Sequence, residues 1–169
     1  MPEQIVTCVG CGVALPVETG PTHPYMRGSA ACWRGYGELL AVQYSDPDRQ
    51  RFHQIVVDAY AGQHPDGDDP RAIQSVGIHL MTLALTLERG VDPAFGMRLH
   101  RQMVERPVFH RLHRPEGNLQ GMLTFRHVPT GGDPDQARER AYEWGRSVWA
   151  SWGPQQDVVR GWLETSGLW

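Results

Sequence analysis

The sequence predicts an all-α fold, a bundle of about five to six helices with an irregular zinc-binding loop at its N-terminus. Three observations support this class. Apolar residues recur at three- and four-residue spacing from residue 31 onward, proline and glycine divide these stretches into helical lengths, and all three cysteines lie within the first 32 residues. We therefore expect one folding unit, with residues 1–30 as the zinc-binding loop region and residues 31–169 as the helical bundle domain.

The N-terminal loop carries the most specific motif of the chain. Cys8, Cys11, His23 and Cys32 form the pattern C-x2-C-x11-H-x8-C. Two thiolates from one tight turn can bind a single ion, and three thiolates with one imidazole suit tetrahedral zinc. Four protein ligands leave no open position, so the pattern predicts one structural zinc ion per chain. A redox pair, a disulfide or unconnected cysteines are the alternatives, and the odd cysteine count argues against complete disulfide pairing.

Proline and glycine set the ends of the predicted helices, because proline opens a helix and glycine caps one. In chain order the predicted helices span residues 31–45, about 48–63, 70–89, 92 to about 106, 134–153 and from 154 onward. The third is strongly apolar, which places it at the centre of the domain. Residues 107–132 lack a clear period, although residues 122–125 fit a short extended piece.

Histidine and aspartate side chains are expected to meet between the second and third predicted helices. If these two helices form a hairpin, His79 lies level with His53 and Asp58 lies one turn away, in the bundle interior where helical metal sites are built. Three interpretations stay open: a second metal ion, a metal-free polar pocket and a buried structural network. The same reasoning places His64 near Cys32, either as an alternative fourth zinc ligand or as a group that orients the site.

Composition excludes several classes of function. The formal net charge of −3 argues against a general nucleic-acid binder, and the absence of lysine rules out a Walker-type phosphate loop. Residues 98–114 are basic, with five arginines and one glutamate. We expect a solvated helix face and loop here, with regulatory anion or nucleic-acid binding as the third candidate function. Neither an apolar run of membrane-spanning length nor a signal sequence is found, so we expect a cytoplasmic protein without a membrane partner.

Several short phrases of the chain occur together in one known family. They are Cys8-Val9-Gly10-Cys11-Gly12, Gly20-Pro21-Thr22-His23, Cys32-Trp33, Val57-Asp58-Ala59-Tyr60, Gln63-His64-Pro65, Glu88-Arg89-Gly90 and Ser147-Val148-Trp149. The chain resembles an uncharacterised family of small, mainly actinobacterial proteins, a domain of unknown function with an N-terminal C-x2-C zinc-like loop and a V-D-A-Y-x-x-Q-H phrase. The resemblance implies that Asp58, Gln63 and His64 are signature positions, and it implies no activity.

Two classes of function remain. The first is a zinc-binding helical module that takes a small molecule or a protein partner in a polar His/Asp pocket. The alternative is a small metal-dependent enzyme of hydrolase type that uses His53, Asp58 and His79, with Asp58 or a histidine as general base. One observable separates them: an enzyme needs an open cavity that reaches Asp58, His53 or His79, whereas a structural network is closed and fully hydrogen-bonded.

Overall fold

The computed structural model describes residues 4–113 and 122–169, and within these ranges the protein is mostly helical. The helices are α1 (Ala30–Ser45), α2 (Pro47–Gln50), α3 (His53–Gln63), α4 (Pro70–Arg89), α5 (Gly96–Glu105), α6 (Pro134–Ser151) and α7 (Gln156–Thr165). Before them, β1 (Ile5–Thr7) and β2 (Ala14–Pro16) form a two-stranded antiparallel sheet. The helical bundle is therefore as predicted, with a small β-sheet added at its N-terminus.

The expectation of an irregular N-terminal loop is corrected by this β-hairpin. Val6 pairs with Leu15, and the chain reverses through the turn that contains the first two cysteines. Within this turn the Cys8 amide donates to the Val13 carbonyl over 2.8 Å, and Gly12 has a φ of 76°. Strands of three residues are too short to show a period of two, so their pairing was invisible in the sequence pattern.

The second predicted helix is divided into α2 and α3. Arg49 is almost fully buried, and its guanidinium donates to the carbonyls of Pro129, Gly131 and Gly132 over 2.7–3.0 Å. Phe52, at the break, has a φ of −109° and a ψ of 11°, and its side chain is buried. The interruption lets α2 dock on the segment before α6 while α3 takes a separate direction through the core.

Helix α4 is the centre of the bundle, as the sequence predicted. It packs against α3, α5, α6 and α7, and its apolar side chains fill the core. Asp69 caps its N-terminus by accepting a hydrogen bond from the Arg71 amide over 2.8 Å. Gly90 ends it with a φ of 67°, the left-handed conformation that favours glycine. The hairpin of α3 and α4 is the frame on which the polar residues of the interior are placed.

Helix α6 presents the predicted stripe of buried residues and holds the C-terminal end of α3. Trp144 and Trp152 are fully buried. The Trp144 indole donates to Gln63 Oε1 over 2.9 Å, and the Trp152 indole donates to the Gly62 carbonyl over 3.0 Å. These bonds fix the positions of Gly62 and Gln63, the two residues immediately before His64. The short extended piece predicted at residues 122–125 forms no strand, but Thr124 is extended, with a φ of −137° and a ψ of 177°, and a 3-10 turn at Phe125–His127 follows it.

A polar network joins α4 to α6 and α7 and allows a first prediction. Glu88 accepts from the Trp149 indole over 2.7 Å and from two nitrogens of Arg160 over 2.8 and 2.9 Å. The hydrogen bonds of Arg160 lower the pKa of Glu88. The stability that ionised Glu88 contributes is therefore fully present above the ordinary pKa of a carboxyl group, and it is lost as pH falls through the lowered pKa. Replacing Glu88 by glutamine is expected to reduce the free energy of unfolding by about 1 kcal/mol at neutral pH.

The measurement is urea denaturation of both proteins across the acid range. The difference between wild type and Glu88→Gln is expected to shrink as pH falls. Asp157→Asn is the control, because Asp157 contacts the same arginine but its side chain is 96% exposed. An equal loss in both variants would contradict a role for the Glu88 network.

None of the helices in the described ranges combines the length and the apolar character needed to cross a membrane.

Candidate metal centre and cavity

Three cysteines and one histidine converge at the junction of the hairpin, α1 and α3. Cys8, Cys11, Cys32 and His64 are all buried, and their ligand atoms lie within 4.8 Å of one another. Cys11 Sγ is 3.7 Å from Cys32 Sγ, while His64 Nε2 is 3.4 Å from Cys32 Sγ and 3.7 Å from Cys8 Sγ. The four atoms are therefore close enough to bind one ion, and all four residues are shielded from solvent.

The backbone around this group brings distant segments together. Ser29 caps α1 by accepting from the Cys32 amide over 3.2 Å, which places that thiol in the first turn of the helix. The Arg27 amide donates to the His64 carbonyl over 2.9 Å, and Met26 pairs with Pro65 in an isolated bridge. The loop before α1 is thus joined to the end of α3, and the fourth donor comes from a residue 32 positions after Cys32.

The orientation of His64 is set by the helix that carries it. Its Nδ1–H donates to the Tyr60 carbonyl over 2.6 Å, which leaves the lone pair of Nε2 directed at the three sulfurs. The ring also stacks on Tyr60, with centroids 3.9 Å apart. A backbone carbonyl on the second nitrogen is the arrangement that selects the tautomer of metal-binding histidines. Gly10 makes this approach feasible, because a Cβ atom there would overlap with the His64 ring.

The dimensions of the group fit a tetrahedral ion. With bonds of about 2.3 Å to sulfur and about 2.0 Å to nitrogen, a tetrahedral zinc site places two sulfurs about 3.8 Å apart and sulfur and nitrogen about 3.5 Å apart. The separations of 3.4–3.7 Å match these values. Hydrogen bonds from Cys11 and Cys32, with a further contribution from His64, lower the pKa of Cys8. In contrast, hydrogen bonds among the thiols and burial raise the pKa values of Cys11 and Cys32, so a cation would be needed to hold all three as thiolates. The donor set is thus suited to a soft cation.

His23, the first choice for the fourth ligand from sequence, lies elsewhere. Its Nδ1 accepts a hydrogen bond from the Tyr25 amide over 3.2 Å, and its ring packs edge-on against Trp33. The cluster instead contains His64, which the sequence offered as the alternative. His64 reaches the cysteines because the loop before α1 is joined to the end of α3, whereas His23 lines a cavity together with Trp33.

A second polar cluster lies deeper in the bundle, around Asp58. His79 Nδ1 is 2.8 Å from Asp58 Oδ1, and His100 Nε2 is 3.7 Å from the same oxygen. The Gln54 amide donates to that oxygen over 2.7 Å. The structure therefore brings Asp58 and His79 together as the hairpin reasoning predicted. His100, on α5, occupies the third position of the cluster.

His53 does not reach this cluster. Its Nδ1–H donates to Gln43 Oε1 over 2.9 Å, and its Nε2 accepts from the Tyr44 hydroxyl over 3.1 Å. Both of these partners belong to α1, so the side chain of His53, the first residue of α3, is held by α1. His100 was missed because the sequence presented it as part of a basic segment. The same hairpin reasoning, applied to the connection at Gly90, places it opposite Thr82, whose hydroxyl oxygen lies 2.7 Å from His100 Nε2.

A cavity of about 840 Å³ opens beside the Asp58 cluster. Four histidines line it, namely His23, His53, His79 and His100. Aromatic and aliphatic side chains supply most of the remaining wall, which includes Tyr25, Trp33, Tyr36, Leu40, Tyr44, Ile78 and Met97. Burial lowers the pKa values of His23, His53 and His79, so these three imidazoles are mostly neutral at neutral pH. The cavity thus offers mostly neutral hydrogen-bonding groups on an apolar wall, with Arg71 as a charged group.

The basic segment at residues 98–114 is described up to residue 113. It comprises part of α5 and the irregular chain that follows. Arg111 is paired with Asp68 over 2.8 Å, and both side chains are exposed. One of the arginines is thereby partly neutralised, and anion binding at this segment stays a prediction. Residue 114, at its end, lies outside the described residues.

The fold and the two clusters define a mostly helical protein with a buried Cys3His group capable of binding a metal ion. The chain belongs to a family of unknown function (DUF5946), whose model matches residues 6–153. That range includes both clusters and all residues of the cavity wall. Neither a curated protein nor a solved structure shows significant similarity to the chain.

Proposed function

We propose that this protein is a zinc-stabilised helical module that binds a small organic molecule in the cavity between α1, α3, α4 and α5. One zinc ion is held by Cys8, Cys11, Cys32 and His64 in a structural role. The observation that carries the proposal is the coexistence of a closed metal-ligand group with a separate, open cavity. In this arrangement the zinc ion stabilises the wall of the cavity, and the cavity binds the small molecule.

The structural role of the zinc follows from its donor set. Four protein ligands saturate a tetrahedral ion, and all four are buried, so no position is open to a substrate. The three cysteines form no disulfide with one another. A reducing compartment such as the cytoplasm keeps thiols available to metal, and this is where we propose that the protein acts.

The cavity has the size and lining of a site for a small molecule. Pockets of about 300–1,000 Å³ with an apolar wall and a few convergent polar groups are the usual sites of small ligands. The wall contains Trp33, Tyr36 and Tyr44 for aromatic contact, and the four histidines for hydrogen bonding. A ligand with an aromatic or aliphatic body and one or two polar groups fits this chemistry. Small ligands are therefore favoured over a protein partner.

Filling the cavity tests the binding role. Ile78 lines the cavity from α4, and Ile78→Trp is expected to occupy part of its volume and to abolish binding of aromatic fragments such as indole, phenol and benzamide. The measurement is ligand-observed NMR with these fragments. Wild type is expected to bind at least one of them at millimolar concentration or below.

The matched control is Val104→Trp, which adds the same side chain at an exposed position of α5 outside the cavity. This variant is expected to bind fragments as wild type does. Fragment binding that survives in Ile78→Trp would place the ligand elsewhere on the protein. Zinc is measured on the same samples by elemental mass spectrometry, with one ion per chain expected in all three proteins.

A further inference from the structure

The Asp58 cluster combines side chains from three helices at the wall of the cavity. Asp58 is on α3, His79 on α4 and His100 on α5. Their ligand atoms lie within 4.8 Å of one another, and both histidines also line the cavity. Three donors that meet at one point, two of them on side chains that line an open cavity, form the geometry of an ion site with free coordination positions.

One oxygen of the buried Asp58 carboxyl group has no partner. The residue is fully buried, and its Oδ2 atom has no hydrogen-bond partner among the described residues. Its Oδ1 atom accepts from the Gln54 amide and contacts His79 Nδ1. A buried polar atom without a partner is unfavourable, and a bound cation would relieve this cost.

The donor set indicates which cation fits. Two imidazoles and one carboxylate are intermediate in softness, and they suit first-row divalent metals rather than calcium or magnesium. When such a trio leaves positions open, the ion can bind water or a ligand. The Gln54 amide orients the carboxylate by donating to Oδ1, the oxygen that both histidines approach. This set differs from the sulfur-rich Cys3His group, so the two sites would select their metals differently.

We propose that Asp58, His79 and His100 bind a second ion, a divalent first-row transition metal whose remaining coordination positions face the cavity. His79 coordinates through Nδ1 and carries its proton on Nε2. His100 coordinates through Nε2, and the Thr82 hydroxyl beside it keeps its own partner, since it donates to the Ile78 carbonyl over 2.7 Å. Coordination of this metal by a cavity ligand rests on the proposed function, whereas the metal site itself does not.

Metal titration of the full chain tests this site. Protein without a histidine tag is dialysed against citrate, its zinc content is measured, and Mn²⁺, Fe²⁺, Co²⁺ and Zn²⁺ are then titrated separately by calorimetry. Wild type is expected to bind one further equivalent of at least one of these metals. His79→Gln and His100→Gln are each expected to weaken this binding by about 100-fold or more. His53→Gln is expected to retain it, because His53 contacts Gln43 and Tyr44 instead.

Cobalt distinguishes the two sites. Co²⁺ bound by thiolates shows sulfur-to-metal charge-transfer absorption, whereas Co²⁺ held by two imidazoles and a carboxylate does not. The further equivalent is expected to lack this absorption and to be retained in Cys32→Ser if that variant stays folded. An error in the proposed zinc site therefore shows in the metal content of the cysteine variant, and an error in the proposed second site shows in the metal affinity of the histidine variants.

A folding control keeps the test decisive. Asp58→Asn removes both the ligand and the buried charge, and it is expected to be at least as stable as wild type by thermal melting while losing the second equivalent. The proposal is overturned if wild type takes up no further equivalent of any of the four metals. It is also overturned if His53→Gln loses as much affinity as His100→Gln.

Discussion

Replacing Cys32 by serine is expected to abolish zinc binding and to lower the free energy of unfolding by about 4 kcal/mol. Cys32 is fully buried and contacts both Cys11 and His64, so its loss removes both of these contacts from the group. An ion present at about 1,000 times its dissociation constant stabilises the folded chain by about 4 kcal/mol, and that contribution disappears with the site. Elemental mass spectrometry and urea denaturation measure the two effects.

A pair of histidine variants makes this test specific. His64→Gln is expected to reduce zinc content and stability, because its Nε2 faces the three sulfurs. His23→Gln is expected to leave zinc content unchanged, because His23 lies at the cavity beside Trp33. Zinc retained at full occupancy in both Cys32→Ser and His64→Gln would remove the proposed centre. Loss of zinc in His23→Gln would restore the ligand set first expected from the sequence.

The second large effect is expected for Gly10→Ala. A Cβ atom at this position would overlap with the His64 ring and with the Arg27 carbonyl oxygen. The carbonyl belongs to backbone that is hydrogen-bonded to His64, so it cannot move aside without breaking the loop that closes the site. We expect a loss of about 3 kcal/mol, together with a lower affinity for zinc.

Gly37→Ala is the matched control for this substitution. Gly37 lies within α1, and a Cβ atom there meets no other heavy atom within 4 Å. Alanine is therefore expected to stabilise this helix by about 0.5–1 kcal/mol. Urea denaturation and zinc analysis of both variants separate a steric effect at the cysteine turn from a general effect of added methyl groups. Equal stability of Gly10→Ala and wild type would contradict the close packing of the turn on His64.

A column of stacked rings connects the zinc group to the cavity. Tyr36 stacks on Tyr60 with centroids 3.7 Å apart, and Tyr60 stacks on His64. The Tyr60 hydroxyl lies 3.6 Å from Cys32 Sγ, while Tyr36 is part of the cavity wall. A metal ion bound to His64 would therefore also stabilise the positions of Tyr60 and Tyr36, and with Tyr36 one side of the cavity wall. This physical link explains why a structural ion and a binding cavity would occur in one small domain.

Local signals were sufficient for most of the helices. Pro70 and Gly90 delimit α4 because proline and glycine act on their own backbone, independently of the rest of the fold. The division between α2 and α3 was missed because its cause is distant. Arg49 binds carbonyls at residues 129–132, about eighty positions along the chain, and no local pattern reports such a contact.

The candidate sites show the same limit. The spacing of Cys8 and Cys11 carries its own meaning, since two thiols on one turn must lie close together. Asp58 and His79 were paired correctly because a short turn joins their helices. Whether His53 reaches that pair depends on where α3 begins, and α3 begins directly after the interruption of the helix at Phe52. His100 became part of the site only through the packing of α5 on α4.

The sequence by itself determined the helical class, the cysteine turn and the hairpin of α3 and α4, because each rests on periodicity or on spacing over a few residues. The tertiary structure alone decided that His64 rather than His23 joins the cysteines, that His100 rather than His53 joins Asp58, and that a cavity opens beside the Asp58 cluster. A choice between two similar side chains depends on the angles at which whole helices pack, and those angles are set by the entire core rather than by any local segment.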